Sequence, residues 1–150
     1  MPDVHDRATR SRNMAAIKGK DTKPELIIRK GLHARGFRYR LHDRKIPGRP
    51  DLVLPKYHAV IFINGCFWHG HDCALFKWPG TRQEFWKEKI GANVARDQRN
   101  YAAIDNAGWR RTVIWECALK GPGRLAADDV LTRVADWLTS GEKMLILRGN

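Results

Sequence analysis

The sequence predicts an α/β protein in which helices flank a mixed central sheet. Two kinds of signal support this fold class: helix-starting motifs followed by apolar residues at helical spacing, and short β-branched or aromatic runs bounded by prolines and glycines. In chain order they predict helix, strand, strand, strand, helix, strand and helix. At 150 residues, without repeats or a low-complexity linker, residues 1–150 are expected to form a single domain that needs no disulfide.

Two of the three predicted helices open on the same motif. Residues 22–25, Thr-Lys-Pro-Glu, fit a capping box, so a helix is expected from there to about residue 35, ended by Gly36. Residues 81–84, Thr-Arg-Gln-Glu, form a second capping box and open a long helix that ends near residue 107, before Gly108. Apolar residues at helical spacing predict a third helix over 125–138.

The remaining signals concern strands and the chain ends. Strands are predicted over 37–41, 51–54, 58–63 and 109–116. Residues 1–20 are expected to form a basic N-terminal arm, with Arg7, Arg10, Arg12, Lys18 and Lys20. Residues 139–150 form a C-terminal tail that the sequence leaves uninformative.

The charge of the chain points to a polyanionic partner. Twenty-eight Lys and Arg residues face 16 acids, which gives a net charge of +12. Such an excess favours nucleic acid, and the lack of a long basic amphipathic helix argues against a membrane surface. The alternative is a basic protein without such a partner. The longest apolar run, residues 59–63, is too short to span a bilayer, and the start of the chain shows no signal peptide, so we expect a cytoplasmic protein with reduced thiols.

Residues 66–73, Cys-Phe-Trp-His-Gly-His-Asp-Cys, are the most informative stretch of the chain. Thiolate and imidazole are the preferred ligands of zinc, and four of them close a structural site with no open position. The set Cys66, His71, Cys73 and Cys117 uses every cysteine of the chain. Spacing alone leaves His69 as an alternative to His71. The other interpretation is two buried thiols near surface histidines.

Three carboxylates are candidates for a second, acidic site. Asp51 ends a Pro-Gly-Arg-Pro-Asp segment at the start of a strand, where a carboxylate could hold Mg²⁺ or simply cap a turn. Asp97 falls on the apolar face of the long helix with Ile90 and Ile104, so it needs a partner, either an arginine or a bound group. Glu25 is explained by its capping box.

Large aromatic residues accompany the cysteine-histidine segment. Phe67 and Trp68 lie inside it, and Trp86 lies near the start of the long helix. Such residues are usually core residues. In a rigid loop of a basic protein they could instead wedge between base pairs and stack on them.

Five motifs together resemble the very-short-patch repair (Vsr) endonucleases. The resemblance runs from about residue 3 to residue 117 with nearly colinear spacing. The motifs are Pro47-Gly48-Arg49-Pro50-Asp51, Gly65-Cys66-Phe67-Trp68-His69, Phe85-Trp86-x-Glu88-Lys89-Ile90, Asn93-x-x-Arg96-Asp97, and Gly108-Trp109-Arg110 with Trp115-Glu116-Cys117.

The resemblance implies a restriction endonuclease-like core of the PD-(D/E)XK type and a Mg²⁺-dependent nick in duplex DNA beside a T:G mismatch, the product of 5-methylcytosine deamination. It implies Asp51 and the Ile63 backbone as magnesium ligands, and His69 as the residue that activates water, which assigns His71 to zinc. Glu25 and Asp97 would complete the catalytic site.

The resemblance further implies how DNA is held. Phe67, Trp68 and Trp86 would intercalate from the major groove, and Met14 would approach from the minor groove. A monomer suffices for a single nick, and mismatch-repair proteins and a nucleoid location are implied as its surroundings. Two departures matter: family members often carry histidine where this chain has Asn64, and Ile63 occupies a metal-site position. At Ile63 the resemblance implies a backbone carbonyl ligand, so the side chain should matter less. A nuclease that cuts a matched site, or an inactive zinc-stapled DNA-binding module, therefore stays open as an alternative.

Overall fold

The computed structural model describes residues 22–150. Its helices are α1 Lys23–Ala34, α2 Gln83–Asn106 and α3 Ala127–Leu138, and its strands are β1 Arg40–Leu41, β2 Leu52–Leu54, β3 Ala59–Asn64, β4 Arg110–Trp115 and β5 Met144–Leu147. The strands form one sheet in the order β1-β2-β3-β4-β5. Strands β1 to β3 pair antiparallel, and β3 to β5 pair parallel. The predicted mixed α/β architecture is therefore confirmed.

Helices cover both faces of this sheet, and β3 shows how. Its residues Ala59 and Ile61 are fully buried in the core that α1 and α3 form with one face. The alternate residues Val60 and Phe62 are buried with Ile104 of α2 on the other face. Because successive side chains of a strand point to opposite faces, a central strand with helices on both sides must be apolar throughout. This central position fixes the end of β3, where the loop 65–73 begins.

The two predicted capping boxes have different outcomes. Thr22 is the N-cap of α1, and its Oγ1 accepts a hydrogen bond from the Glu25 amide at 3.4 Å. Helix α2 instead has Arg82 as its N-cap, with a left-handed φ of 54° and no side-chain cap bond. The second capping-box prediction is wrong, because the chain enters α2 through this left-handed residue and Thr81 lies before it. The predicted C-terminal ends of the three helices lie within one residue of the observed ends.

The two edge strands differ from the prediction. Strand β1 is shorter than the predicted 37–41, and Tyr39 before it donates a hydrogen bond from its hydroxyl to the Arg29 carbonyl at 2.8 Å. Strand β5 lies in the tail that the sequence left uninformative, and its register joins Arg111 to Met144 and Ile114 to Leu147. The tail is thus structured, because β4 offers it an open sheet edge that only the tertiary fold reveals.

Two sequence predictions fall on residues that the structure does not describe. The basic arm 1–20 and Met14 lie outside the described residues. Within residues 22–150, no helix is both long enough and apolar enough to cross a membrane.

The edge strand β5 gives a test of the fold. Leu147 is 0% exposed in the core, whereas Ile146, its neighbour, is 48% exposed. We expect Leu147→Ala to lower the free energy of unfolding by about 2–4 kcal/mol, because it removes buried methyl groups and leaves a cavity. Ile146→Ala is the matched control and should cost less than about 0.5 kcal/mol. Urea unfolding of both variants measures the difference, and equal losses would contradict the assigned register of β5.

Candidate active site and metal centre

One open cavity brings the predicted catalytic residues together. It has a volume of about 1080 Å³ and lies where α1, the ends of β2 and β3, the loop 65–73 and α2 meet. All four carboxylate and imidazole candidates line it, as do the three described aromatic candidates: Glu25, Asp51, His69, Asp97, Phe67, Trp68 and Trp86. Residues that are far apart in the sequence therefore share one concave surface.

Asp51 lies at the floor of the cavity, directly before β2. Its Oδ2 accepts a hydrogen bond from the Ile63 amide of β3 at 2.7 Å, so the carboxylate reaches across to the neighbouring strand and does not cap its own turn. Glu25 projects from the first turn of α1 with its side chain only 3% exposed. Its Oε2 accepts from Arg29 at 3.1 Å, and His42 lies on its other side. Glu25 therefore does more than belong to the capping box of its helix, because its side chain also contacts Arg29 and His42.

His42 joins the two carboxylates, and sequence reasoning missed it. Its Nε2 lies 3.2 Å from Glu25 Oε1 and 3.9 Å from Asp51 Oδ1. Ligand atoms of Glu25, His42 and Asp51 all lie within 4.8 Å of one another, close enough to hold one cation. The pairing of β1 with β2 creates this proximity, because His42 follows Leu41, the partner of Leu52. No local sequence pattern predicts the pairing of these two strands.

The carboxyl group of Asp51 is shifted toward its protonated form. Burial raises the pKa of Asp51 to about 7, against the opposing effect of the Ile63 amide. The charge of Glu25 raises it further, and His42 lowers it. Bringing a second carboxylate into a partly buried place costs free energy unless a proton or a cation compensates it. The acidic cluster therefore has the electrostatics of a cation site.

His69 and Asp97 form the second half of the cavity. Nδ1 of His69 lies 2.5 Å from Oδ2 of Asp97, which projects from α2 toward the loop. The predicted need of Asp97 for a partner is confirmed, and the partner is this histidine, not an arginine. In the neutral tautomer whose Nδ1–H donates to this carboxylate, the lone pair is on Nε2, where an imidazole can accept a proton.

The four predicted metal ligands converge at the base of the same loop. Ligand atoms of Cys66, His71, Cys73 and Cys117 all lie within 4.8 Å of one another, and none of the three thiols is in a disulfide. The histidine in this group is His71: its Nδ1 lies 3.6 Å from the sulfurs of both Cys66 and Cys117, whereas His69 pairs with Asp97. These four residues could hold a metal ion.

Neighbouring groups orient this cluster, and the sequence analysis gave them no role. Trp115 stacks on the His71 ring at 4.0 Å between centroids. Glu116 accepts a hydrogen bond from the Cys66 amide at 3.1 Å, and the Gly149 amide lies 3.3 Å from the Cys117 sulfur. Burial raises the pKa of the Cys66 thiol and lowers the pKa of His71. The neutral imidazole that results is the form that binds metals.

The aromatic candidates form one connected group on the cavity wall. Phe67 contacts Trp68 and Trp86 edge-on at centroid distances of 5.2 and 5.4 Å, and it stacks near Phe76 at 5.8 Å. None of the three candidates is fully buried. Asn93 of α2 holds the loop in place by donating to the Trp68 carbonyl at 2.9 Å. The rings are therefore firmly supported and still face the cavity.

Asn64, at the position where the family resemblance implies that histidine is common, lies at the end of β3 and is buried. Its Nδ2 donates a hydrogen bond to the Tyr101 hydroxyl at 2.8 Å. Burial, reinforced by the charge of Asp97, raises the pKa of Tyr101 to about 12, so this phenol stays protonated. Asn64 and Tyr101 both line the cavity beside the carboxylates. The sequence predicted neither the orientation of the Asn64 side chain nor its hydrogen-bond partner.

Fold and site together define an α/β protein with two candidate metal centres beside one aromatic-walled cavity. The family model of the DNA mismatch endonuclease Vsr matches residues 2–75. The DNA mismatch endonuclease Vsr of Escherichia coli strain K12 is 49% identical over 138 residues, which cover 92% of this chain and 88% of that protein. The type II nicking enzyme V.XorIIP of Xanthomonas oryzae pv. oryzae is 46% identical over 76% of this chain and 84% of its own length. The type II nicking enzyme V.NmeAIP of Neisseria meningitidis serogroup A is 45% identical over 80% and 86%.

These similarities cover most of the chain and most of each relative. The chain belongs to the Vsr family of DNA mismatch endonucleases. The family that the sequence motifs indicated is confirmed.

The pKa of Asp51 gives a test that needs no substrate. Since the folded protein holds this proton up to about pH 7 and the unfolded chain releases it near pH 3.8, ionised Asp51 lowers stability as the pH rises through this window. We expect Asp51→Asn, without added divalent cation, to be about 1–3 kcal/mol more stable than the parent at pH 8. The difference should shrink as the pH falls below 7, because the parent then carries a neutral carboxyl group as well.

Thermal unfolding between pH 5.5 and 8 measures this effect, with zinc left in place. Asp136→Asn on the exposed side of α3 is the matched control and should leave the melting temperature nearly unchanged. A loss of stability in Asp51→Asn at pH 8 would show that the carboxylate is not under electrostatic stress.

Proposed function

We propose that this protein is a Mg²⁺-dependent DNA endonuclease that nicks one strand of duplex DNA beside a T:G mismatch. The observation that carries the proposal is the convergence of Asp51, Glu25 and the His69–Asp97 pair in one cavity whose wall is aromatic. The relatives named a mismatch endonuclease and nicking enzymes support the reaction, and the restriction endonuclease-like core is the fold that the family implies.

The acidic cluster fits a hard divalent cation. Carboxylate oxygens are the ligands that Mg²⁺ takes in proteins, and Asp51 and Glu25 supply them. The Ile63 amide points at Asp51, and because N–H and C=O of one strand residue face the same side, the Ile63 carbonyl is directed there too. When bound, Mg²⁺ would supply charge that stabilises the scissile phosphate and the leaving oxygen.

His69 is proposed as the general base. Asp97 holds the proton of the neutral imidazole on Nδ1, so Nε2 can take a proton from the water that attacks the phosphorus. The resulting imidazolium would be stabilised by the same carboxylate, and it could then return the proton to solvent. Asp97 thus acts through His69, while Glu25 acts at the cation side of the cavity.

Zinc is the metal that best fits the cysteine-histidine cluster. Tetrahedral zinc with bond lengths of about 2.3 Å to sulfur and about 2.05 Å to nitrogen places those two atoms about 3.6 Å apart. The sulfurs of Cys66 and Cys117 lie at that distance from His71 Nδ1. Four protein ligands leave no position for substrate, so the role of zinc would be to fix the loop that carries Phe67, Trp68 and His69.

The aromatic wall and a basic rim are proposed to bind the mismatch. A T:G pair is easier to unstack than a matched pair, and Phe67, Trp68 and Trp86 offer flat surfaces to occupy the opened step. Lys23, Arg49 and Lys120 line the same cavity and could contact phosphates. Met14 is proposed to act from the opposite groove. A single domain acting as a monomer in the cytoplasm suffices for one nick.

The decisive experiment compares two duplexes that differ at a single base pair. Full-length protein with Mg²⁺ is incubated with duplexes that carry T:G or C:G at one position within randomised flanks. We expect one strand of the T:G duplex to be cut and the C:G duplex to stay intact. Asp51→Ala should abolish cutting while retaining affinity for T:G duplex within a few-fold, because it removes a cation ligand and no proposed DNA contact.

The other outcomes identify the competing functions. Equal cutting of both duplexes would indicate a nuclease for a matched site, and binding without cutting by the parent protein would indicate a DNA-binding module. Loss of binding together with cutting in Asp51→Ala would argue against a purely catalytic role for this residue.

Substitutions of two residues in the loop 65–73 test the nicking reaction and zinc binding separately. His69→Ala should lower the nicking rate by about 10²–10⁴-fold with zinc content unchanged, since only the general base is lost. Cys73→Ala should release zinc and lower the melting temperature, because zinc binding stabilises the folded loop. Elemental analysis, thermal unfolding and nicking assays on both variants make each the control of the other. Zinc loss in His69→Ala would reassign the ligand.

A further inference from the structure

His42 is placed in the acidic cluster by the backbone itself. Its amide donates to the Asp51 carbonyl at 3.1 Å, which extends the pairing of β1 with β2 by one residue. Its φ of 48° is left-handed, an uncommon conformation for a residue other than glycine. The turn at His42 and the strand pairing therefore hold this imidazole beside Asp51 without the help of a bound cation.

The side chain of His42 is positioned to coordinate a cation. Nε2 lies 3.1–3.2 Å from the two Glu25 oxygens and 3.9 Å from Asp51 Oδ1, and the side chain is 18% exposed. Adjacent ligands of an octahedral ion with bonds of about 2.1 Å are about 3 Å apart, and opposite ligands are about 4.2 Å apart. The observed separations fall within that range, so one ion could contact all three side chains after small shifts.

Each carboxylate also has a partner other than His42. Glu25 already pairs with Arg29 at 3.1 Å, and Asp51 already accepts from the Ile63 amide at 2.7 Å. His42 therefore adds a nitrogen donor to a site that is otherwise all oxygen. Imidazole is a poor ligand for Mg²⁺ and a good one for first-row transition metals, whereas carboxylates accept both.

We propose that His42 is a direct ligand of the divalent cation, and that Glu25, His42 and Asp51 form a mixed nitrogen–oxygen site that binds Mn²⁺ more tightly than Mg²⁺. This inference rests on the proposed function only in placing the cation at Asp51. It assigns to the site a third side-chain ligand, whose nitrogen donor would favour Mn²⁺ over Mg²⁺ more strongly than carboxylates alone would.

The test is Mn²⁺ binding to the full, zinc-loaded chain without DNA. Mn²⁺ prefers oxygen and nitrogen to thiolates, so the cysteine cluster does not compete for it. The loss of the free-ion electron paramagnetic resonance signal gives the Mn²⁺ affinity, and competition gives the Mg²⁺ affinity. Pulsed resonance then detects a directly coordinated nitrogen, and protein labelled with ¹⁵N-histidine identifies that nitrogen as histidine.

Three proteins are compared: the parent, His42→Gln, and His33→Gln as the matched control, since His33 is exposed on α1 away from the cluster. In His42→Gln we expect Mn²⁺ affinity to fall at least about 10-fold and Mg²⁺ affinity to change less than about 3-fold. The reason is that an imidazole nitrogen is a good ligand for Mn²⁺ and a poor one for Mg²⁺. The histidine nitrogen signal should be present in the parent and in His33→Gln and absent in His42→Gln.

Any of three results overturns the proposal: no nitrogen signal in the parent, a nitrogen signal that persists in His42→Gln, or an equal loss of Mn²⁺ and Mg²⁺ affinity. The first needs no variant, so a folding defect in His42→Gln leaves the proposal testable. Nicking of T:G duplex without a nitrogen signal would leave the proposed function standing and remove this inference. The signal without nicking of any duplex would do the reverse.

Discussion

The site depends on how the loop 65–73 is held between two elements that lie far apart in sequence. Cys66, His71 and Cys73 of the loop meet Cys117, which follows β4, while His69 of the same loop meets Asp97 of α2. The loop is therefore held at two places: by the cluster that includes Cys117, and by the contact between His69 and Asp97. Since the loop carries both an imidazole and the aromatic wall, the geometry of the cavity follows from these contacts, and a metal ion in the cluster would make them rigid.

The acidic half of the cavity is held under electrostatic stress that the fold does not relieve by itself. Burial of Asp51 beside Glu25 raises the pKa of Asp51, although the Ile63 amide opposes this shift. Such an arrangement costs stability in the absence of a cation and is kept where function requires it. Here the sheet provides the constraint: Asp51 directly precedes β2, and Ile63 lies on the adjacent antiparallel strand β3, so the pairing of these strands fixes the carboxylate next to the Ile63 amide.

His42 and Asn64 are two polar residues that lie beside the acidic cluster. His42 places a nitrogen donor beside the carboxylates. The side-chain amide of Asn64 donates a hydrogen bond to the Tyr101 hydroxyl and not to the carboxylates. Both residues are positioned by strands, His42 after β1 and Asn64 at the end of β3.

The sequence by itself determined the elements and the chemistry that is local to them. Helical periodicity placed Asp97 on the inner face of α2, the Thr22 N-cap marked the start of α1, and the clustered cysteines and histidines marked a group that could hold a metal ion. Only the tertiary structure decided the pairings: His71 over His69 as the cluster histidine, His69 as the partner of Asp97, His42 beside Asp51, and the tail as strand β5. The reason is physical. Local propensity and spacing are set by neighbours in the chain, whereas these pairings depend on strand register and helix packing between segments that the sequence does not bring together.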